Sequence, residues 1–154
     1  MAFDGKRVII TAGAGGIGRE ITKLFVEAGA KVFICDIDEQ ALERTLSSYD
    51  NVSGMRVDVS DADQFQSFFK KADQYLGGLD IMINNAGTAG PTAPIEDISL
   101  EEWNACVNIN LTSAFIGTQQ SIPRIKESDN EGGSIINLSS AAGKFGFPLR
   151  SPYS

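Results

Sequence analysis

The chain has 154 residues, enough for one domain with one core, and 13 basic against 20 acidic residues give a net charge of −7. This acidic balance argues against nucleic acid or an anionic membrane surface as a partner. No apolar run approaches the roughly 18 residues that cross a bilayer, and the first residues lack a signal-peptide pattern, so we expect a cytoplasmic protein. Because the chain has no histidine, an acid or base near neutral pH must be a carboxylate, a lysine or a perturbed tyrosine.

Short apolar runs alternate with amphipathic stretches along the chain, which predicts alternating strands and helices. The runs are rich in β-branched residues and suit strands buried on both faces, whereas the stretches between them carry apolar residues at helical spacing. In chain order we predict a strand at 7–11, a helix at 16–28, a strand at 31–35, a helix at 38–48, a strand at 52–57, a helix at 62–76, a strand at 79–83, a helix at 100–126 and a strand at 134–138. We also expect Gly54 to interrupt the third strand, Asp61 to cap the third helix, and residues 87–99 and 128–133 to form a loop and a polar turn.

This alternation predicts an α/β fold: a Rossmann-type doubly wound parallel sheet with strand order 3-2-1-4-5 and helices on both faces. Ligands of such sheets bind beyond the carboxyl ends of the strands, so the chemical residues should cluster there. The two cysteines, Cys35 and Cys106, have no metal-like spacing. We expect reduced, buried thiols and no metal site.

The turn after the first strand is rich in glycine and leads into a helix. Small residues allow the backbone to approach a diphosphate, whose negative charge the free N–H groups and dipole of the helix start favour. The spacing fits the G-x-G-x-x-G pattern of dinucleotide-binding turns, although a merely tight turn would give the same pattern. The candidate residues are Ala12, Gly13, Gly15, Gly16, Ile17 and Gly18.

Acidic residues follow the second and third strands. Asp36 lies 18 positions after Gly18, where a carboxylate can accept hydrogen bonds from the adenosine ribose. The same carboxylate would repel a 2′-phosphate, and no basic residue follows until Arg44, so the pattern favours NAD over NADP. Asp58 and Val59 follow the third strand and are candidates for contact with the adenine. A solvated strand-end aspartate, or a cap or turn residue, is the alternative at each position.

The fourth predicted strand ends in NNAG, where Asn85, Ala86 and Gly87 are further cofactor-binding candidates. Together with the GGIG that ends the first turn, this motif resembles the short-chain dehydrogenase/reductase family. The usual turn of that family is TGxxxGIG. Ala12 stands where the pattern has its first glycine, so we expect the turn to bend slightly differently.

The resemblance extends to three catalytic positions. The catalytic asparagine of the family corresponds to Asn110 in VNINLTSAF, although Asn108 lies close enough for the match to slip by two positions. The catalytic serine corresponds to Ser140 in SIINLSSAAG. Tyr153 follows 13 positions later, the spacing expected for the catalytic tyrosine. Three separated matches in the right order assign residues 6–154 to this family.

The resemblance implies hydride transfer between NAD(H) and an alcohol or ketone. Tyr153 would exchange the hydroxyl proton, Ser140 would hold the substrate oxygen, and Asn110 would support a water-linked proton path. A phenol titrates near pH 10, too high for a base at pH 7. In the family, a lysine four positions after the tyrosine supplies a positive charge, which lowers the pKa of the phenol.

That lysine would lie beyond Ser154, so the sequence suggests an incomplete dinucleotide-binding domain, 1–154, which ends before the carboxyl-terminal strands. We expect a polypeptide ending at Ser154 to be inactive, and the intact parent to form a homo-oligomer, a dimer or tetramer as the family implies. The substrate class stays open among acyl ketones, sugars, polyols and steroids. Phe145, Phe147 and Leu149 suggest an apolar wall, or packing against a further helix.

Two other functions stay open. A regulatory protein could keep the dinucleotide site without catalysis, although Ser140 and Tyr153 argue against it. A Rossmann-like methyltransferase would share the glycine-rich turn and the acidic strand end. That chemistry gives no reason for NNAG or for the spacing from Ser140 to Tyr153.

Overall fold

The structure, a computed structural model, describes residues 2–129 and 132–154. Within them, five parallel strands form one sheet in the order β3-β2-β1-β4-β5, which confirms the predicted doubly wound topology. The strands are β1 (Arg7–Thr11), β2 (Lys31–Asp36), β3 (Val52–Arg56), β4 (Ile81–Asn84) and β5 (Ser134–Asn137). The helices are α1 (Gly16–Glu27), α2 (Glu39–Leu46), α3 (Ala62–Leu76), α4 (Leu100–Val107), α5 (Ser113–Lys126) and α6 (Ala142–Phe145).

Alternate residues of the central strands belong to two separate hydrophobic layers, one on each face of the sheet. Val8 and Ile10 of β1 pack with residues of α1 and α2 on one face of the sheet, whereas Ile9 packs on the other face. There it meets three phenylalanines of α3 that are fully buried: Phe65, Phe68 and Phe69. Burial on both faces explains why these strands read as continuous apolar runs.

Several boundaries differ from the sequence prediction. Gly54 does not interrupt β3, because a Cβ at this position would overlap the Ile34 carbonyl oxygen and glycine lets the two strands approach. The fourth strand begins at Ile81, two residues later than predicted, and the Asp80 side chain instead binds Arg7. Asp61 caps α3 as predicted, with its carboxylate accepting the backbone N–H of Asp63 and Gln64.

The predicted helix at 100–126 is interrupted. α4 and α5 are separated by a wider π-helical turn at Asn108–Thr112, and a short 3₁₀ turn at Ile95–Asp97 precedes α4. Periodicity cannot reveal such a turn, because one wide turn leaves the apolar pattern on either side intact. The short α6 was not predicted, and the predicted polar turn includes residues 130 and 131, which lie outside the described residues.

The described residues contain no helix that combines the length and apolar character needed to cross a membrane.

Candidate cofactor and catalytic site

The glycine-rich turn joins β1 to α1 at the carboxyl edge of the sheet. Gly15 and Gly16 are exposed, and no side chain caps the start of α1, so the N–H groups of its first turn have no side-chain acceptor. Gly13 and Gly18 are buried, and a Cβ at Gly18 would overlap the Ala12 carbonyl oxygen. The turn therefore packs tightly on one side and leaves donors for an anion on the other.

Ala12 adopts the left-handed backbone conformation, with φ at 49°. A residue with a Cβ is strained there by roughly 1–2 kcal/mol. The turn thus takes a backbone geometry suited to glycine at the position where the family pattern has glycine.

Asp36, the predicted ligand of the ribose, is hydrogen-bonded to the glycine-rich turn. Its Oδ2 accepts the backbone N–H of Ala14 at 3.0 Å, its Oδ1 accepts that of Asp38 at 3.1 Å, and the residue is 8% exposed. An ionised carboxylate has about four acceptor sites. Two are occupied, which leaves acceptors for the hydroxyls of a sugar.

A cleft of about 190 Å³ opens beside Asp36. Asp58 and the buried Val59, the candidates for contact with the adenine, line it. Asp58 also forms a local turn in which Oδ1 accepts the N–H and hydroxyl of Ser60. Sequence reasoning missed a cation in this region: Nε of Arg56 donates to the Ile37 carbonyl oxygen at 3.2 Å. Arg56 lies opposite Asp36 in the register of β3 and β2, although the two residues are 20 positions apart in the sequence.

The NNAG segment is bound to the glycine-rich turn. Oγ1 of Thr11 accepts the N–H groups of Asn85 and Ala86 at 3.0 and 2.9 Å. Nδ2 of Asn85 donates to the carbonyl oxygens of Thr11 and Ala12. The Asn85 side chain is thus committed to positioning the two turns, while Ala86 and Gly87 line clefts on both sides.

A second cleft, of about 350 Å³, lies on the other side of NNAG. All three predicted catalytic side chains line it, together with Ile17 at the start of α1. The shared lining residues of the two clefts are Ala86, Gly87 and Thr88. The two clefts therefore form one continuous surface past the glycine-rich turn, which is the arrangement an extended dinucleotide requires.

Asn110 lies in the π-helical turn between α4 and α5. Its Oδ1 accepts the N–H of Thr88 and its Nδ2 donates to the Thr88 carbonyl oxygen, both at 2.9 Å. Nδ2 also donates to the carbonyl oxygen and Sγ of Cys106. Asn108 is exposed and bonds to Thr112, outside the cleft lining, so the structure places Asn110 rather than Asn108 at the site.

Ser140 and Tyr153 approach the same cleft from the segment after β5. Oγ of Ser140 accepts the N–H of Ala142 at 3.2 Å, which leaves its hydroxyl hydrogen free to donate. The Tyr153 N–H donates to the Arg150 carbonyl oxygen at 3.1 Å, within a turn that presents the phenol to the cleft.

Both cysteines are free and buried, as predicted. Cys35 lines the cleft beside Asp36, and burial raises the pKa of its thiol to about 12. Cys106 lies beneath Gly90, close enough that a Cβ on that glycine would come within 2.8 Å of the sulfur. Neither position is suited to nucleophilic chemistry, because both thiols are buried away from any reactant.

Comparison with known proteins agrees with this geometry. The chain is 33% identical over 153 residues to the short chain dehydrogenase/reductase dpchG of Colletotrichum higginsianum, covering 97% of this chain and 57% of that protein. It is 34% identical to the 3-oxoacyl-(acyl-carrier-protein) reductase FabG of Thermotoga maritima (99% and 63% covered) and 36% identical to 3beta-hydroxysteroid dehydrogenase 2 of Eggerthella lenta (90% and 55% covered). The chain thus spans little more than half the length of these relatives. The family model described as short chain dehydrogenase matches residues 6–154, and the chain belongs to this family.

Proposed function

We propose that the protein is an NAD(H)-dependent oxidoreductase that transfers a hydride between the nicotinamide and an alcohol or ketone. The observation that carries this proposal is the position of Asn110, Ser140 and Tyr153 around one cleft that continues past the glycine-rich turn to Asp36. The family and the relatives named above support an oxidoreductase in general. Cofactor preference, substrate and residue roles are the proposal.

The described residues fit a dinucleotide at this edge of the sheet. We assign the diphosphate to the uncapped start of α1, at Gly15, Gly16 and Ile17, with Ala12, Gly13 and Gly18 shaping the turn behind it. Asp36 would accept the ribose hydroxyls, and Asp58 and Val59 would border the adenine. Asn85, Ala86 and Gly87 would position the nicotinamide half, which supplies the hydride acceptor or donor when bound.

The chain's own side chains would then handle the proton and the substrate oxygen. Tyr153 exchanges the proton of the substrate hydroxyl, and Ser140 donates its free hydroxyl hydrogen to the same oxygen and stabilises developing charge. Asn110 is committed to Thr88 through two hydrogen bonds, so its first effect is to fix the loop that forms the cleft wall.

Cofactor choice depends on two side chains with opposite effects. The carboxylate of Asp36 would repel a 2′-phosphate, whereas Arg56 supplies a nearby cation. We expect NAD to bind more tightly than NADP, because Asp36 lines the cleft, whereas Arg56 is exposed and is not one of its lining residues. Calorimetric titration of the full-length protein with both nucleotides tests this. Asp36→Asn should reduce the preference and Asp50→Asn, an exposed control, should leave it unchanged; tighter binding of NADP would contradict the proposal.

Catalysis is tested separately from binding. In the full-length protein, Tyr153→Phe should abolish turnover of alcohols or ketones while NAD binding persists. Asn108→Ala, at the exposed neighbour of Asn110, is the matched control and should retain turnover. Cofactor binding without turnover of any alcohol or ketone in the unmodified protein would favour the regulatory alternative.

We further propose that the chain forms one dinucleotide-binding domain, and that the protein acts in the cytoplasm as a homo-oligomer. Exposed apolar side chains of α4, the π-helical turn and α5 support the oligomer: Leu100, Leu111, Phe115 and Ile122. Light scattering of the full-length protein tests the assembly, and a Phe115→Glu variant should dissociate it. A monomer at micromolar concentration would contradict this part of the proposal.

A further inference from the structure

Charge is distributed very unevenly along the chain. All 20 acidic residues lie in positions 1–131, together with 11 of the 13 basic residues, so this part carries a net charge of −9. Residues 132–154, which supply Ser140 and Tyr153, contain Lys144 and Arg150 and no acidic residue. A positive segment in an otherwise acidic chain creates a local field that attracts an anion to that side of the cleft.

The cleft itself is neutral. The described residues that line it include no aspartate, glutamate, lysine or arginine. Arg150 borders this lining: its Nη1 donates to the carbonyl oxygen of the lining residue Ala89 at 3.1 Å. A charge beside a neutral, concave surface is screened less than one on an open surface.

Arg150 has unused capacity to bind an anion. Its guanidinium forms no ion pair with any carboxylate of the described residues, and one of its five N–H donors is engaged by Ala89. The other two half-buried arginines of the described residues form ion pairs: Arg7 pairs with Asp80, and Arg124 pairs with Asp73. The Arg150 guanidinium, which lies 5.9 Å from the centroid of the Phe147 ring, is thus the half-buried arginine of the described residues whose charge no carboxylate balances.

The backbone ties Arg150 to the reacting group. The Arg150 carbonyl oxygen accepts the N–H of Tyr153 at 3.1 Å, so the guanidinium and the phenol belong to one turn. The preceding residue, Leu149, has φ at 62°, and its carbonyl oxygen accepts the N–H of Ala93 at 2.9 Å. A non-glycine residue in this strained conformation is found chiefly where surrounding structure holds it for a function.

We propose that Arg150 is a specificity-determining residue that binds an anionic group of the substrate, so that the preferred substrates are oxo and hydroxy compounds carrying a carboxylate or phosphate. This inference rests on the proposed oxidoreductase function and narrows it to a substrate class. The planar guanidinium can bind either group through two parallel hydrogen bonds. Because Arg150 and Tyr153 share one turn, the anionic group lies a few bonds from the reacting carbon.

The experiment uses the full-length protein and substrate pairs that differ in charge alone. One arm compares 3-oxobutanoate and 4-oxopentanoate with their methyl esters, and the other compares dihydroxyacetone phosphate with dihydroxyacetone. Steady-state rates with the reduced nucleotide give kcat and KM, and saturation-transfer NMR on the protein–NAD complex measures binding of each compound directly. The two arms distinguish a carboxylate from a phosphate as the recognised group.

We expect the anionic member of at least one pair to bind about tenfold to a hundredfold more tightly, as hydrogen bonds to a charged group predict. Arg150→Met should raise its KM by that factor while the neutral partner and kcat change little, and Arg150→Lys should restore part of the difference. Lys144→Met removes the other positive charge of the segment, which lies over the Phe145 ring, and should have little effect.

Two results overturn the inference. If no anionic compound binds better than its neutral partner, Arg150 recognises no anion. If Arg150→Met weakens both members of a pair equally, the residue serves only to hold Ala89 and the cleft wall. Retained NAD binding and turnover of a neutral ketone in either case would leave the proposed oxidoreductase function standing, so the two failures are distinguishable.

Discussion

The two edges of the sheet join β1 to β4 by opposite means. At the amino edge, the backbone N–H, Nε and Nη2 of Arg7 all donate to the Asp80 carboxylate, at 2.8, 3.0 and 3.1 Å. Ser128 and Asp129 bind the same guanidinium. At the carboxyl edge, the connection is neutral: the Thr11 hydroxyl oxygen accepts two backbone N–H groups of the NNAG segment.

This difference explains why the candidate site lies at the carboxyl edge. At the amino edge the charge of Arg7 is paired with the carboxylates of Asp80 and Asp129, and the hydrogen bond to Asp80 is the main cause that raises the pKa of Arg7. At the carboxyl edge, neutral groups fix the backbone and leave lone pairs on Asp36, donors at the start of α1 and a hydroxyl hydrogen on Ser140. Arg7, Asp80, Ser128 and Asp129 form a structural clamp at the amino edge. Unused hydrogen-bonding capacity, rather than charge, distinguishes the candidate site from this clamp.

Removing the clamp should have the largest effect. Asp80→Ala leaves the Arg7 guanidinium, 13% exposed, without its buried partner, and breaking such a pair costs about 3–5 kcal/mol. Urea denaturation should show a loss of this size in the free energy of unfolding. Asp129→Ala removes the other carboxylate, whose side chain is 84% exposed, and should change stability little. Equal losses in the two variants would show that burial does not set the strength of this clamp.

The sequence predicted the candidate site better than the clamp, for a physical reason. Strands and amphipathic helices are local patterns, and the carboxyl ends of parallel strands must meet, so Gly16, Asp36 and Asn85 could be placed at one edge. Arg7 and Asp80 are 73 positions apart and pair through side chains at strand starts, where no pattern marks a partner.

Local patterns also failed where the structure depends on one exact contact. The π-helical turn at Asn110 and the approach of Arg56 to the Asp36 strand arise from tertiary packing, which a single sequence does not encode in its periodicity. The same holds for Arg150, whose contact with Ala89 crosses 61 positions. The contacts of Arg56 and Arg150 therefore could not be predicted from the sequence, although Asn110 itself was identified by its motif.

The neutral connection at the carboxyl edge should be weaker than the clamp but more important for function. Thr11→Val keeps the side-chain shape and leaves the N–H groups of Asn85 and Ala86 without an acceptor, at a cost of about 1–3 kcal/mol. We expect a matching loss in urea denaturation and weaker NAD binding by calorimetry. Thr11→Ser retains the oxygen and should recover most of both. Normal NAD binding by Thr11→Val would separate this connection from the site.

The two edges should also respond differently to alkaline pH. Burial raises the pKa of Cys35, at the carboxyl edge, from 9.0 to about 12, so between these values the folded protein keeps a proton that the unfolded chain releases. The contribution of the Cys35 thiol to the free energy of unfolding is complete below pH 9. It is lost as pH rises towards 12, by up to about 1.4 kcal/mol per pH unit. The stability difference between the parent protein and Cys35→Ala should be constant from pH 7 to 8 and shrink from pH 9 to 10. A constant difference throughout would mean that the thiol is hydrated.

Backbone strain gives the smallest and most direct contrast between the edges. Among the described residues, the non-glycine residues with positive φ are Ala12 and Leu149, and both lie around the carboxyl-edge clefts. Ala12→Gly relieves roughly 1–2 kcal/mol of strain but loses about 0.5–1 kcal/mol through chain entropy, so thermal denaturation should show a gain near 0.5 kcal/mol. Ala14→Gly, in the same turn without positive φ, should instead lose stability. If both variants lose stability alike, Ala12 is not strained. A gain for Ala12→Gly alone would locate stored strain at the edge of the candidate site, as expected if the turn is shaped for a diphosphate and not for stability.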